Sequence, residues 1–188
     1  MDEKFKPIKL VVIGDQYTGK TFFIVNLING YDSLDFEEYR YTNGASYCSK
    51  RFCYNNKEYS FDVWDTAGAE KYITLVKFFF RDADIVFVFF ECGNKISFEI
   101  AKSLVQSVKA ETLNHNVAII LVGNKYDLNL VQKRAMDPLC DEEEILNFAD
   151  ENDIPFTHIS IKEKYANGVN ELFKIAIKEY LKKTNKMK

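Results

Sequence analysis

Residues Gly14-Asp15-Gln16-Tyr17-Thr18-Gly19-Lys20-Thr21 follow an apolar run, Ile8 to Ile13, and precede a helical pattern. The pattern is Gly-x4-Gly-Lys-[Ser/Thr] in a strand–loop–helix setting, which ties the chain to an α/β architecture with a glycine-bounded turn at its first strand end. A loop that closes on a helix N-terminus gathers backbone N–H groups and the positive end of the helix dipole around one point. That arrangement suits a phosphate chain. Gly14 and Gly19 permit backbone angles and close approach that a side chain blocks. Lys20 supplies a cation to the β and γ phosphates. The Thr21 hydroxyl is placed to ligate Mg²⁺, an ion that keeps most of its remaining shell as water and phosphate oxygen. Asp15, Gln16, Tyr17 and Thr18 supply the loop backbone, with Phe22 just inside the helix, and the expected ligand is a nucleoside phosphate.

Apolar strand-like runs alternate with helix-length segments, which predicts a mostly parallel α/β sheet. Strands are expected at 8–13, 46–54, 58–64, 85–91, 117–122 and 156–160, and helices at 20–29, 70–80, 97–113, 141–151 and 168–182. Asn55-Asn56 joins the second and third strands as a short antiparallel hairpin. The near-continuous apolar character of 85–91 fits a strand covered on both faces. Asp141-Glu142-Glu143-Glu144 reads as favourable charge at a helix start rather than a metal site. The 188 residues, 47% apolar, are read as one domain over 1–188, with its core at about 7–182 and a short basic tail at 182–188. A net charge of −3 argues against a general nucleic-acid binder. Cys48, Cys53, Cys92 and Cys140 have no paired short spacing, so they are expected to be reduced thiols of a cytoplasmic protein. His115 and His158 are isolated. No apolar stretch approaches membrane-spanning length, and Met1-Asp2-Glu3-Lys4 is neither a signal peptide nor a myristoylation site.

Two further motifs follow strands. Asp65-Thr66-Ala67-Gly68 comes after Trp64. An acid there can hold a metal-bound water, and Gly68 leaves a backbone N–H to meet a γ-phosphate. Asn124-Lys125-Tyr126-Asp127 follows the fifth strand. The Asp127 carboxylate can accept two hydrogen bonds from the N1–H and N2–H₂ edge of guanine, a donor pair that adenine lacks. Asn124 can brace the loop and reach the base, and the Lys125 stem can cover its flat face. After the sixth strand, Ser160-Ile161-Lys162 offers the Ile161 N–H to guanine O6.

Four fragments in this order, each just after a strand, resemble the Ras superfamily of small GTPases over roughly residues 7–182. Within it the chain most resembles the Rab family, since Phe79-Phe80-Arg81-Asp82-Ala83 is similar to a Rab Tyr-Tyr-Arg-Gly-Ala segment. The resemblance implies the small G-domain fold: a six-stranded sheet with one antiparallel strand and helices on both faces. It implies GTP and GDP as ligands, Mg²⁺ held by Thr21, Thr42 and Asp65, and hydrolysis served by Lys20, Thr42 and Gly68. Tyr31 is the expected aromatic beside the base. Effector, exchange-factor and GTPase-activating proteins would meet the switch regions and an aromatic set that maps to Tyr47, Trp64 and Phe79.

The departures are informative. Ala69 stands where the family has the Gln that orients the attacking water. Gln16 and Tyr17 stand where it prefers Gly or Ser, so they can crowd the transition state. The interval from Thr21 to Thr42 is three residues longer than is usual in Rabs. The last cysteine is Cys140, whereas Rabs usually end in one or two cysteines that are geranylgeranylated; either the natural protein is unprenylated or this sequence stops short of such a tail, and membrane contact would need a lipid-bearing tail or a partner. The expectation is a switch with slow GTP hydrolysis, in the cytoplasm or on the cytosolic face of endomembranes, with a role in vesicle trafficking. A pseudo-GTPase serving as a nucleotide-independent interaction module is the alternative. Asn124-Lys125-Tyr126-Asp127 argues against an ATPase or nucleotide kinase.

Overall fold

The structure is a computed structural model that describes residues 6–29, 45–66, 81–112, 116–127, 140–161 and 167–185. In chain order its elements are β1 Ile8–Gly14, α1 Lys20–Asn29, β2 Ala45–Tyr54, β3 Lys57–Thr66, β4 Ile85–Glu91, α2 Lys95–Glu111, β5 Ala118–Asn124, α3 Glu142–Glu151, β6 Phe156–His158 and α4 Asn167–Asn185. The helix expected at 70–80 lies outside the described residues.

The strands form one six-stranded sheet in the order β2-β3-β1-β4-β5-β6. Only the β2–β3 pairing is antiparallel; the other four are parallel. The hairpin turn explains that exception. Asn55 and Asn56 adopt φ of 50° and 59°, a two-residue turn of the kind whose twist matches an antiparallel pair. In the sheet β1 is flanked by β3 on one side and β4 on the other, so the spatial order of the strands reverses beside β1. In open α/β sheets, ligands bind beyond the carboxyl ends of the strands at such a reversal point.

The alternation of side chains along β1 divides the core. Leu10 and Val12 pack with Phe23 and Leu27 of α1 and Leu172, Phe173 and Ile177 of α4. Val11 and Ile13 pack with Phe98, Ala101 and Val105 of α2 and Ile145 and Ala149 of α3. The sheet is therefore covered on both faces, which is why β4 and β5 are apolar without alternation. Phe173 sits at the centre of the first face, 5.0 Å from the Phe61 ring and 5.2 Å from Phe52 between centroids.

Several boundaries differ from the sequence expectation for identifiable reasons. β3 runs past Trp64 because Asp65 and Thr66 pair with Ser46 and Ala45. β5 continues to Asn124 because Gly123 and Asn124 pair with Phe90 and Glu91. β6 stops at His158, where its pairing with Gly123 ends. α2 starts two residues earlier than expected, at the Asn94 cap, whose side chain accepts from Ser97 N. Asp141 caps α3 rather than opening it, accepting from Glu143 N, with Glu142, Glu143 and Glu144 in the first turn where the dipole favours them. α4 continues through Lys182 and Lys183, cations suited to a helix C-terminus.

Candidate functional site

The loop between β1 and α1 is shaped by its two glycines. Gly14 has φ +149° and a Cβ there would meet the Phe89 carbonyl oxygen at 2.3 Å; Gly19 has φ +92° and a Cβ would meet Asn124 Nδ2 at 2.2 Å. Both positions need glycine for conformation and for space. Inside the loop the Thr18 hydroxyl donates to Asp15 O at 2.8 Å, and Gln16 N donates to Asp15 Oδ1 at 2.6 Å. Phe23 N reaches Gly19 O at 2.9 Å, so helical bonding begins at the loop's end; Phe23 itself is buried in the core beside the partly buried Phe22. Tyr17 holds φ 62° with half its surface exposed, a left-handed conformation that costs a non-glycine residue about 1 kcal/mol. Gln16 and Tyr17 are both exposed at the loop tip.

Lys20 lies under this loop. It is buried, and its Nζ donates to Gly14 O at 2.9 Å and Asp15 O at 2.6 Å. Burial lowers its pKa to about 8, against the opposing pull of Asp65 and Asp15. Asp65, at the end of β3, is fully buried and beside β1 residue Val12 in the sheet. Its Oδ2 accepts from the Thr21 hydroxyl at 3.1 Å. Burial raises the carboxyl pKa to about 6, opposed by Lys20 and by the Thr21 bond. Asp65 Oδ1 is buried with no hydrogen-bond partner among the described residues. An orphaned carboxylate oxygen beside a threonine hydroxyl fits a hard, oxygen-seeking cation that brings its own water and phosphate ligands. No group of three or more His, Cys, Asp or Glu side chains suited to a metal occurs among the described residues, so a cage built from protein alone is not the fit.

The second half of the site comes from β5 and the segment after β6. Asn124 is buried; its Nδ2 donates to Thr18 O at 2.7 Å, tying β5 to the phosphate loop, while its Oδ1 is buried without a partner among the described residues. Asp127 Oδ1 accepts from the Ser160 hydroxyl at 2.6 Å. A Cβ on Gly19 would stand 3.5 Å from Ile161 Cδ1, so Ile161 also closes on the loop. Tyr126 N donates to Ile159 O at 3.3 Å and Ile159 N to Gly123 O at 2.8 Å, which joins the two segments by backbone. Lys125 adopts φ 60° and its Nζ lies 2.7 Å from Glu91 Oε2.

The residues picked from sequence as Gly14 to Phe22, Asp65, Asn124, Lys125, Asp127, Ser160 and Ile161 thus gather at one edge of the sheet. Tyr31, Thr42, Gly68, Ala69, Phe79 and Lys162 lie outside the described residues. Of the aromatic set, Tyr47 and Trp64 are directly opposite in the β2–β3 pair, their rings 5.1 Å apart. Tyr47 is exposed and its hydroxyl donates to Asp62 Oδ1 at 2.8 Å, a bond that raises the phenol's pKa. Sequence reading assigns no role to Glu91, which ends an otherwise buried apolar strand, and none to the Thr66 hydroxyl within its motif, which donates to Val12 O at 3.0 Å. A lone acid closing an apolar run was the available signal for Glu91.

Comparison with known proteins agrees with this geometry. The family model described as Ras family matches residues 9–182. The chain is similar to Ras-related protein Rab-5A of Dictyostelium discoideum, 33% identical over 183 residues, which covers 97% of this chain and 85% of that protein. It is similar to Ras-related protein Rab5A of Oryza sativa subsp. japonica, 34% identical over 170 residues, covering 90% of this chain and 78% of that protein. With the mixed six-stranded sheet and the glycine-bounded loop at the end of its central strand, these matches place the chain in the Ras family, as a Rab-like member.

Proposed function

We propose that this protein is a guanine-nucleotide switch that holds Mg²⁺·GTP or GDP at the carboxyl edge of its sheet, hydrolyses GTP slowly, and acts in vesicle trafficking through partners that read its nucleotide state. Family membership supports the switch and the trafficking role. The observation that carries the site assignment is the convergence of Lys20, the Thr21–Asp65 pair and the Asn124–Thr18 tie on one loop, with the Asp127–Ser160 pair joining the segments that follow β5 and β6.

Each role follows from chemistry. A phosphate chain in the loop would give the buried Lys20 ammonium the counter-charge that burial denies it. Thr21 and Asp65 would hold Mg²⁺, which supplies charge neutralisation at the β and γ phosphates. Thr42 would complete that shell in the GTP state, and Gly68 N–H would meet the γ-phosphate. Asp127, steadied by Ser160, would accept the N1–H and N2–H₂ of guanine, with Ile161 N–H toward O6, Asn124 bracing and Tyr31 flanking the base. Hydrolysis would rest on positioning and charge stabilisation. With alanine at position 69, no side chain there can orient the attacking water.

Identification of the nucleotide carried by freshly purified protein, with titration by fluorescent GDP, GTP and ADP analogues, tests the binding reading. Guanine-selective binding is expected; no nucleotide and no titration would favour a nucleotide-independent interaction module. Single-turnover hydrolysis of GTP tests the chemistry. The rate should lie below about 10⁻⁴ s⁻¹, and Ala69→Gln should raise it with GTP affinity nearly unchanged. A wild-type rate above that value with no gain in the variant would mean that another residue positions the water.

A further inference from the structure

We propose that Glu91 is a positioning residue for the guanine base: it anchors the Lys125 ammonium so that the Lys125 stem stays over the face of the base. This rests on the guanine-nucleotide reading above and extends it to a residue on a different strand from the base-reading motif.

Lys125 follows the last residue of β5 and is held in a left-handed backbone conformation, φ 60°, which sets the direction in which its side chain leaves the strand. A lysine stem so placed still has four rotatable bonds, and a free ammonium follows water. Here the ammonium is instead 2.7 Å from Glu91 Oε2, with both side chains mostly covered, at 30% and 24% exposure. Glu91 is the register partner of Asn124, so the anchor stands beside the residue that precedes Lys125.

The anchor is itself fixed. Glu91 N donates to Ser97 Oγ at 3.0 Å, and Glu91 O accepts from Asn94 N at 3.0 Å, from Ser97 Oγ at 3.3 Å and from Cys140 Sγ at 3.8 Å. The helix cap of α2 and the entry to α3 thereby clamp the one acidic residue of β4, whose other six positions are all buried and apolar. A salt bridge serving general stability has no need of a clamped backbone or of a position at the ligand edge of the sheet. A device that holds one flat aliphatic stem in one orientation needs both.

The test is the release of ribose-labelled fluorescent GDP, with Mg²⁺ present, from wild type, Glu91→Gln, Lys125→Met and the double variant. Glu91→Gln should release GDP about two- to fivefold faster, the range open to a partly covered ion pair, with association unchanged. Lys125→Met should do at least as much, and the double variant should be no faster than Lys125→Met alone. Glu91→Asp, which keeps the charge but shortens the reach, should fall between wild type and Glu91→Gln. The ratio of GDP to IDP affinity should stay constant, because Asp127 reads the edge and Glu91 acts on the face. Release unchanged in Glu91→Gln, or fully additive effects in the double variant, overturns the positioning role while leaving nucleotide binding intact. A shift in the GDP to IDP ratio would mean that Glu91 acts through Asp127, which also overturns it. Absence of GDP binding in wild type overturns the nucleotide reading and this inference together. Thermal unfolding of each variant without nucleotide separates these outcomes from a failure to fold.

Discussion

Asn124→Ala should separate what Asn124 does for the fold from what it does for the ligand. In the protein the amide donates from Nδ2 to the carbonyl of buried Thr18 at 2.7 Å, and its Oδ1 has no partner among the described residues. Truncation leaves the Thr18 carbonyl without that donor, at a cost of about 1–3 kcal/mol, and removes the orphaned Oδ1, whose burial is unfavourable by a similar amount. The two nearly cancel, leaving a small cavity term of about 1 kcal/mol. For a chain of this length that is about 2–4 °C in Tm. Nucleotide binding has no such cancellation. The loop loses its tie to β5, and with it the bracing that holds the loop and the base-reading segment in register. A loss of about 1.4 kcal/mol or more is expected, at least about tenfold in Kd. Thermal unfolding of nucleotide-free protein gives the first number and fluorescent GDP titration the second. A Tm lowered by more than about 10 °C, with GDP affinity of the folded fraction unchanged, would refute the reasoning and make Asn124 a structural residue alone.

Asp127→Asn should weaken GDP binding by at least about tenfold, since charge-assisted bonds are lost, and should gain XDP binding; competition titration reads both, and unchanged GDP affinity removes Asp127 from the base pocket. Gly19→Ala forces a side chain into φ +92° with its Cβ 2.2 Å from Asn124 Nδ2. A strain of about 1–3 kcal/mol should lower Tm measurably and weaken GDP binding with it; an unchanged Tm would mean that the loop relaxes freely. Burial lowers the His158 pKa from its ordinary 6.5, so below that pH the unfolded chain binds more protons than the folded one and stability falls as pH drops. His158→Gln should therefore lose less Tm between pH 7 and pH 5 than wild type does; an equal loss would show that the imidazole contributes nothing to the acid sensitivity.

The parts of the site legible in the sequence are those where chemistry dictates residue type. A loop that must pass under a phosphate chain requires glycines at both ends, and Gly14 and Gly19 both meet neighbours at under 2.5 Å if given a Cβ. A carboxylate ending a strand near that loop is equally plain in Asp65, and the order of Asn124, Lys125 and Asp127 identifies the rest. What stayed hidden depends on register. That Asp65 and Thr66 are still strand follows from their pairing with Ser46 and Ala45, which their polarity conceals. The shortness of β6 follows from its pairing with only Leu121 to Gly123, although Ile159 and Ile161 continue the apolar run. Glu91 meets Lys125 only because β4 and β5 end level with each other, Glu91 beside Asn124. No periodicity within one strand could reveal that pair.

The buried polar residues show why so much of this edge was legible and what it is for. Eight polar or charged residues are buried among those described: Thr18, Lys20, Asp65, Thr66, Ser97, Thr112, Asn124 and Ser160. Ser97 and Thr112 belong to the ends of α2, where orphan backbone groups need partners. The other six crowd the carboxyl ends of β1, β3, β5 and β6. Lys20 and Asp65 are each held away from their ordinary pKa by burial, in the direction that disfavours the charged form. Each is thus less comfortable than an apolar residue of its size would be in the same place, because burial strips water from a charged group. The two core faces do not need them, for they are closed by Phe23, Phe61, Phe87, Phe173 and their neighbours on one side and by Phe90, Phe98 and Val105 on the other. A chain kept only as a folded interaction module would be free to replace Lys20, Asp65 and Asn124 with apolar residues and gain stability. Their presence, with Asp65 Oδ1 and Asn124 Oδ1 left unpartnered among the described residues, is accounted for if an anion and a cation complete the site, and this favours a nucleotide-binding switch over a nucleotide-independent module.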